Sequence, residues 1–337
     1  MYSTDKRRRL AAPLAGILVA ILAWSPHLWG QRPAARRLPV DLEAIVDVDG
    51  DAAGRLYVIE DRRNRLLVLD STFAIVAEEP NDPSESATVV MAQSAIRVLD
   101  RGRFVRLERY LRRLDVFEWR GRKVAKVRAT RFPFELWDAC HAGGDTLVVV
   151  GPYRGMRLHT VLMTGQILKS FAPVDSALPK AISKVHASGG VACDARARAV
   201  AYQSGSQPVL EVFSRLSGDR TFRGGFPPSH RAISVSYDSA TGGRTISSGP
   251  EGIHVPRRPE LVGDKLEVQA RLTAMGTWRD TVLVHRFART DGRYLGTRIE
   301  RQLRFALSDG RRLIVSLDGS EHPRVERGPR PTVGAAR

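Results

Sequence analysis

The sequence predicts an all-β chain of six repeated four-stranded units, a six-bladed β-propeller, and three observations carry that prediction. First, RLYVIEDRRNRLLVLD from Arg55 to Asp70 reads as strand, polar turn, strand, and it returns from Arg103 as RFVRLERYLRRLDVFE. Leu56, Ile59, Glu60, Leu66 and Val68 fall without a gap on Phe104, Leu107, Glu108, Leu114 and Val116. Second, the first apolar residue of that strand recurs at Leu56, Phe104, Leu147, Val200, Leu266 and Leu313, at spacings of 48, 43, 53, 66 and 47 residues. Periods in this range with four strands per unit are the signature of propeller blades. Third, a turn rich in Gly or Asp precedes every marker: Gly50 and Asp51, Gly102, Gly143 and Gly144, Asp194, Gly263 and Asp264, Asp309 and Gly310, as a tight hairpin demands. Composition agrees. Of 337 residues, 43% are hydrophobic, enough for a sizeable core, and 29 glycines suit many short strands and tight turns.

At the N-terminus, Lys6, Arg7, Arg8 and Arg9 precede an apolar run from Leu10 to Trp24, the layout of a signal peptide or signal anchor over residues 1–30. The run is shorter than the roughly 20 residues of a spanning helix. No cysteine follows it, so a lipid anchor is not supported. The expected place of work is therefore outside the cytoplasm, periplasmic or secreted, with membrane contact only through this segment if it is uncleaved. A spacer rich in Pro and Arg follows at 31–41.

The propeller is expected over 42–328 and a tail over 329–337. The first unit has LEAIVDVD (Leu42 to Asp49), the Arg55 hairpin and FAIVA (Phe73 to Ala77), with Glu78 to Glu85 as the loop out of it. The second has Ala95 to Asp100, RFVRLER, RLDVFEW and Lys123 to Arg128. The third has LWDAC, TLVVV, RLHTVLM and QILKSF, and the fourth GGVAC, RAVAY, VLEVF and RTFRG. Between Phe226 and Pro256 an extra hairpin turns at Gly242 and Gly243. The fifth unit resumes with VGDKLEVQ, a long connection through Met275 and Trp278, TVLVHRF and RYLGTRI. The sixth, LRFALSDG, RRLIVSL and PRVERG, lacks an outer strand. Circular folds close by borrowing one, and the candidates are the spacer around Leu38 to Val40 and the tail around Val333. Pro33 and Pro39 weaken the first.

A formal charge of +17 points in the cytoplasm to nucleic acid; outside it that partner is not expected and an acidic protein, an anionic polysaccharide or an anionic lipid surface is nearer at hand, and the competing reading, that the arginine-rich composition simply reflects genomic base composition, is the favoured one. The charge concentrates in the second unit, where thirteen Arg or Lys residues stand between Arg97 and Arg131 against four acidic ones. Alternation puts Arg106 opposite Val105 and Leu107, and Arg109, Arg112 and Arg113 sit in the turn. These four are candidates for an anionic-partner patch, the competing reading being a solvated blade edge that discourages strand addition.

Asp47, Asp49 and Asp51 in DVDGD invite a calcium reading, but the order lacks the far glutamate of an EF-hand loop and falls where every unit has a turn. No Gly-x-Ser-x-Gly occurs, and Ser188 beside His186 or Ser229 beside His230 are neighbours in sequence only. Cys140 and Cys193 each stand seven residues before their markers. Matched inner-strand positions in neighbouring blades make them a candidate disulfide, or else two small buried thiols.

The repeats resemble the NHL-type six-bladed β-propellers of exported bacterial proteins from Leu42 to about Gly328, through a "turn, then L-x-V" pattern that specifies a fold and no activity. Propeller enzymes of the lactonase kind, which resemble this fold, hold a divalent ion with Glu, Asn and Asp from several inner strands. Here Asn64 and Asn81 are the only asparagines and neither falls on an inner strand. The related amidating lyases use a zinc held by histidines. His141, His186 and His254 stand 6, 14 and 12 residues before their markers, so they do not converge as a three-histidine site must. No metal and no cofactor are expected. The function expected is that of an exported binding module for a protein, polysaccharide or small-molecule ligand, with Asp49, Arg97, His141 and Asp194 as ligand-binding candidates near the channel mouth. The alternative is a propeller hydrolase or lyase with an axial site, metal-dependent or not, built from the same four residues.

Overall fold

In a computed structural model, the described residues are 36–37, 45–60, 65–80, 94–100, 102–121, 123–174, 188–194, 198–205, 209–226, 234–237, 244–247, 253–256, 258–274, 277–300, 302–307, 312–316 and 324–328, with no helix among them. The apolar N-terminal run, Leu38 to Val40, Asn64, Asn81, His186 and the tail of 329–337 lie outside the described residues.

The strands begin with β1 (Arg36–Arg37). A first sheet follows in the order β2 (Ile45–Gly50), β3 (Leu56–Glu60), β4 (Arg65–Leu69) and β5 (Ile75–Pro80). The next three repeat this plan: β6 (Ser94–Val98), β7 (Arg103–Glu108), β8 (Arg113–Arg120) and β9 (Lys123–Arg131); β10 (Asp138–Gly143), β11 (Thr146–Tyr153), β12 (Met156–Leu162) and β13 (Ile167–Pro173); β14 (Gly189–Asp194), β15 (Ala199–Ser204), β16 (Val209–Ser214) and β17 (Arg220–Gly225). A separate hairpin, β18 (Ser234–Tyr237) with β19 (Arg244–Ser247), intervenes where the repeat is interrupted. A five-stranded sheet then joins β20 (Ile253–Pro256) and β21 (Glu260–Val262) to β22 (Lys265–Ala274), β23 (Thr277–Ala288) and β24 (Tyr294–Glu300). The last sheet has β25 (Gln302–Ala306), β26 (Arg312–Ser316) and β27 (Arg324–Gly328), and β1 adds to it from the other end of the chain, Arg36 facing Val325 and Arg37 facing Arg324.

All neighbouring strands within a sheet are antiparallel, the first four sheets being simple meanders, and successive sheets touch through their first strands: β2 with β6, β6 with β10, β10 with β14, β14 with β21. The ring returns on itself, since β23 meets β25 and β25 meets β2. This is a β-propeller. The uniform repeat expected from the marker spacings is nevertheless departed from. Five sheets have four strands, and the fifth in chain order has five. The connection expected through Met275 and Trp278 is instead the far end of a long strand pair, with Thr273 opposite Trp278, and β20 lies against that extension. A register shift between Arg271 and Thr273 bends it.

The core lies between sheets, which explains the apolar runs on second and third strands. β3 and β4 are buried at every position, because one set of side chains faces the preceding sheet and the alternate set the following one. Tyr57, Ile59, Leu66 and Val68 pack with Ile96, Val98, Phe104 and Phe117 between the first and second sheets. Val105, Leu107, Leu114 and Val116 pack with Leu147, Val149 and Val161 between the second and third. Leu56, Val58, Leu67 and Leu69 pack with Val282, Val284, Phe305 and Leu313 across the closing junction.

Candidate functional site

The inner strands carry the polar residues nearest the axis, and the structure commits them to the junctions between sheets. Asp47 accepts the backbone N–H of Ile96 (3.0 Å), and the fully buried Asp49 accepts that of Val98 (2.8 Å). Each carboxylate on β2 thus pins β6. Two sheets further on from β2, Asp138 of β10 accepts the N–H of Val191 on β14 (2.8 Å). Asp47 and Asp138 hold the same register, opposite Ile59 and Val150, and each stands nine residues before its marker. Asp49 and Cys140 likewise correspond, opposite Tyr57 and Val148. Where Asp49 bonds Val98, Cys140 is joined to Cys193 in a disulfide with Cα atoms 5.5 Å apart. A covalent link therefore occupies the place that a carboxylate–amide hydrogen bond has at the first junction. The two cysteines are one position out of register, because a shift between His141 and Gly143 leaves Cys193, opposite Val200, equivalent to His141 and not to Cys140.

At the junction between these two, Arg97 of β6 takes the register position of Asp49 and reaches both ways. Its Nε donates to the carbonyl of Ala139 (2.7 Å), one Nη donates to Asp47 and the other to Asp138. Burial opposes its charge, but Asp138, Asp47 and Asp49 together hold the guanidinium charged, above its ordinary range. The result is a chain of polar links from β2 through β6 and β10 to β14.

Of the four ligand candidates, Asp49 and Arg97 belong to this seam. Asp194 pairs with Arg289, which leaves the end of β23 to reach the preceding sheet, and His141 bonds through Nε2 to the carbonyl of Gly144 in its own turn (3.0 Å). The structure brings Asp49 and Arg97 into one network and gives Asp194 and His141 partners elsewhere. The calcium reading of DVDGD has no support either. Asp51 accepts the Arg55 N–H (2.9 Å) and Nε (2.6 Å) and the Tyr57 hydroxyl (2.9 Å), so the three carboxylates serve separate partners. No group of three His, Cys, Asp or Glu residues spaced to hold a metal ion occurs among the described residues.

The proposed anionic-partner patch is corrected in its membership. Arg106 is 3% exposed and pairs with Glu108 (2.6 Å) and Asp115 (3.3 Å), and Arg113 also pairs with Asp115 (2.9 Å). Arg109 lies over the Trp137 ring with Glu135 at 3.4 Å, and burial lowers its pKa from the ordinary value. Arg112 alone of the four is exposed. Alternation placed Arg106 opposite Val105 correctly, but in a propeller both faces of a blade's middle strands are covered.

The exposed cations of this sheet lie one strand further out. Lys123, Lys126, Arg128 and Arg131 of β9 are exposed. Beside the start of β9 is a cleft of about 460 Å³ lined by Asp100, Arg103, Glu118 and Trp119. Arg103 binds Asp100 (2.9 Å) and reaches Asp145 of the third sheet (3.0 Å), Arg120 binds Glu118 (2.8 Å), and Arg55 lies over the Trp119 ring. Gly102 at φ 81° makes the turn that brings these groups together, and a Cβ there would stand 3.3 Å from Trp119. Trp119 and the outer-strand cations were not singled out by sequence, although Trp119 follows Glu118 where strand alternation ends.

No family model matches the chain, and no curated protein matches it in sequence. Among solved structures, a member of the DUF4221 family from Bacteroides vulgatus is similar with a TM-score of 0.54 at 9% identity, over 88% of this chain and 96% of that one. Virginiamycin B lyase from Staphylococcus aureus is similar with a TM-score of 0.51 at 11% identity, over 87% and 97%. A streptogramin B lyase gives 0.50 at 12% identity, over 87% and 95%. At these identities the likeness is one of fold, and the class it defines is the β-propeller.

Proposed function

We propose that the chain is an extracytoplasmic six-bladed propeller of the NHL type that acts as a binding module. The observation that carries this reading is the seam at the axis. Asp47, Asp49, Arg97 and Asp138, the ionisable inner-strand groups that an axial catalytic site would draw on, are engaged in links from one sheet to the next. A carboxylate whose oxygen accepts a backbone N–H of the next blade is fixed in place by that junction and is not turned toward a substrate. Six sheets of four or more strands support the blade count. The basic cluster before the apolar N-terminal run and the Cys140–Cys193 disulfide support export to an oxidising compartment.

Metal analysis of protein recovered from its native compartment tests the reading. The expected result is recovery in the extracytoplasmic fraction, no stoichiometric calcium or zinc, and a melting temperature unmoved by a chelator. A stoichiometric divalent ion whose removal lowers the melting temperature would favour an axial hydrolase or lyase, and recovery from the cytoplasm would remove the export reading.

A further inference from the structure

The outer strand of the second sheet has features that neither the seam nor the core requires. β9 runs for nine residues, against two to seven for the other outer strands. Lys123, Arg128 and Arg131 on it are exposed and have no ion-pair partner among the described residues. Lys126 between them is held only loosely, 3.7 Å from Asp115. At a rise of roughly 3.3 Å per residue the row is about 26 Å long. Arg112, also exposed and unpaired among the described residues, prolongs it, since its neighbour Arg113 lies opposite Arg131.

At its other end the row meets the cleft. Arg120 stands opposite Lys123 and Trp119 opposite Val124. The carboxylates of the cleft, Asp100 and Glu118, are matched by Arg103 and Arg120. The cleft is therefore close to neutral, and it offers fixed donors and acceptors beside the exposed part of an indole that Arg55 partly covers. Vicinal sugar hydroxyls both donate and accept, and the C–H face of a pyranose packs on an aromatic ring.

Geometry decides between anionic occupants. The ladder between β8 and β9 shifts register at Val116 and Phe117, and such a bulge twists an edge away from an added peptide strand. A lipid surface meets a plane of cations, and here they follow a single edge strand, Lys126 and Arg131 on the face of Phe117 and Arg113, Lys123 and Arg128 on the other. A linear polymer with charges at regular intervals fits a line.

We propose that this edge binds a linear anionic polysaccharide, its charged units along β9 from Arg112 to Lys123 and one sugar ring against Trp119. The proposal rests on the binding-module reading and names its ligand class.

Polygalacturonate oligomers serve as the probe, followed by calorimetry and tryptophan fluorescence at low and high salt, with neutral dextran and phosphatidylglycerol vesicles as comparisons. Arg112→Asn, Lys123→Ser, Arg128→Ser and Arg131→Ser are combined in one variant; Asn is chosen at 112 because the backbone there is left-handed, at φ 52°. Its melting temperature should stay close to the parent's, because exposed unpaired charges contribute little to stability. Affinity for the oligomer should fall about tenfold or more at low salt, and its salt dependence should flatten. Trp119→Phe should weaken binding without changing the salt dependence. The proposal is overturned if polygalacturonate does not bind, if the combined variant binds it as well as the parent does, if dextran binds equally, or if vesicles bind more tightly and with the same losses. Any of these results with folded, exported protein leaves the binding-module reading standing. Recovery of the protein from the cytoplasm would remove that reading itself.

Discussion

His159 shows how one side chain's environment sets a property of the whole fold. It is fully buried on β12; its Nε2–H donates to the Gly151 carbonyl (2.8 Å), which leaves Nδ1 to accept from the Ser170 hydroxyl (2.8 Å). Burial lowers its pKa from the ordinary 6.5, although its backbone bonds oppose the shift. The unfolded chain therefore takes up a proton first as pH falls, and folding stability is lost progressively below about pH 6.5 until the folded value is passed. His159→Gln keeps a donor and removes the titration. Urea unfolding across pH 7 to 5 should show a shallower loss of stability in the variant than in the parent, and equal slopes would refute the assignment. At this scale the sequence was partly legible. Asp47 and Asp138 share an offset of nine residues from their markers, a regularity that was readable but hidden because DVDGD looked like a turn. Arg106 was misread because period-2 alternation tells which face a residue is on and not whether that face meets water.

Strands and their pairing were the most legible level, because each blade repeats a turn, an apolar run and a second apolar run. The expected strands of the first four sheets differ from the observed ones by a few residues at their ends. FAIVA, for example, is found as Ile75–Pro80, since Pro80 at the end of an outer strand lacks an N–H that no neighbour needs. The fifth unit was less legible because β22 and β23 run on past the blade, and alternation alone does not say where a hairpin stops belonging to a sheet. Disulfide pairing is an element-level matter, since Cys140 and Cys193 tie β10 to β14. They close a loop of 53 residues, for which the chain-entropy account gives about 4 kcal/mol. Reduction, or a Cys140→Ser and Cys193→Ser double variant, should lower unfolding free energy by that order. Mass spectrometry after alkylation without reductant should find neither cysteine modified in protein recovered from its native compartment. Two alkylated cysteines would contradict the pairing.

The whole molecule depends on closure, and closure was the least legible feature. A two-residue strand leaves no periodicity to read, and Pro33 and Pro39 argued against the spacer that supplies it. Removing the chain through Arg37 should speed hydrogen exchange across residues 302–328, where β27 loses its neighbour, and leave residues 138–173 unchanged. Uniform acceleration, or none, would show that β1 does not act as the closing strand. The same scale holds the central claim, that charged inner-strand groups join the blades at the axis. A double-mutant cycle measures this most directly, with Arg97→Met and Asp138→Asn made singly and together and unfolding free energies taken from denaturant melts. Arg97→Met alone should cost about 3 to 5 kcal/mol, the usual loss when one partner of a buried pair is removed. The two changes should be coupled by about 1 kcal/mol or more, so that the double variant is more stable than the sum of the single losses predicts. Strictly additive losses, or single variants as stable as the parent, would contradict the account.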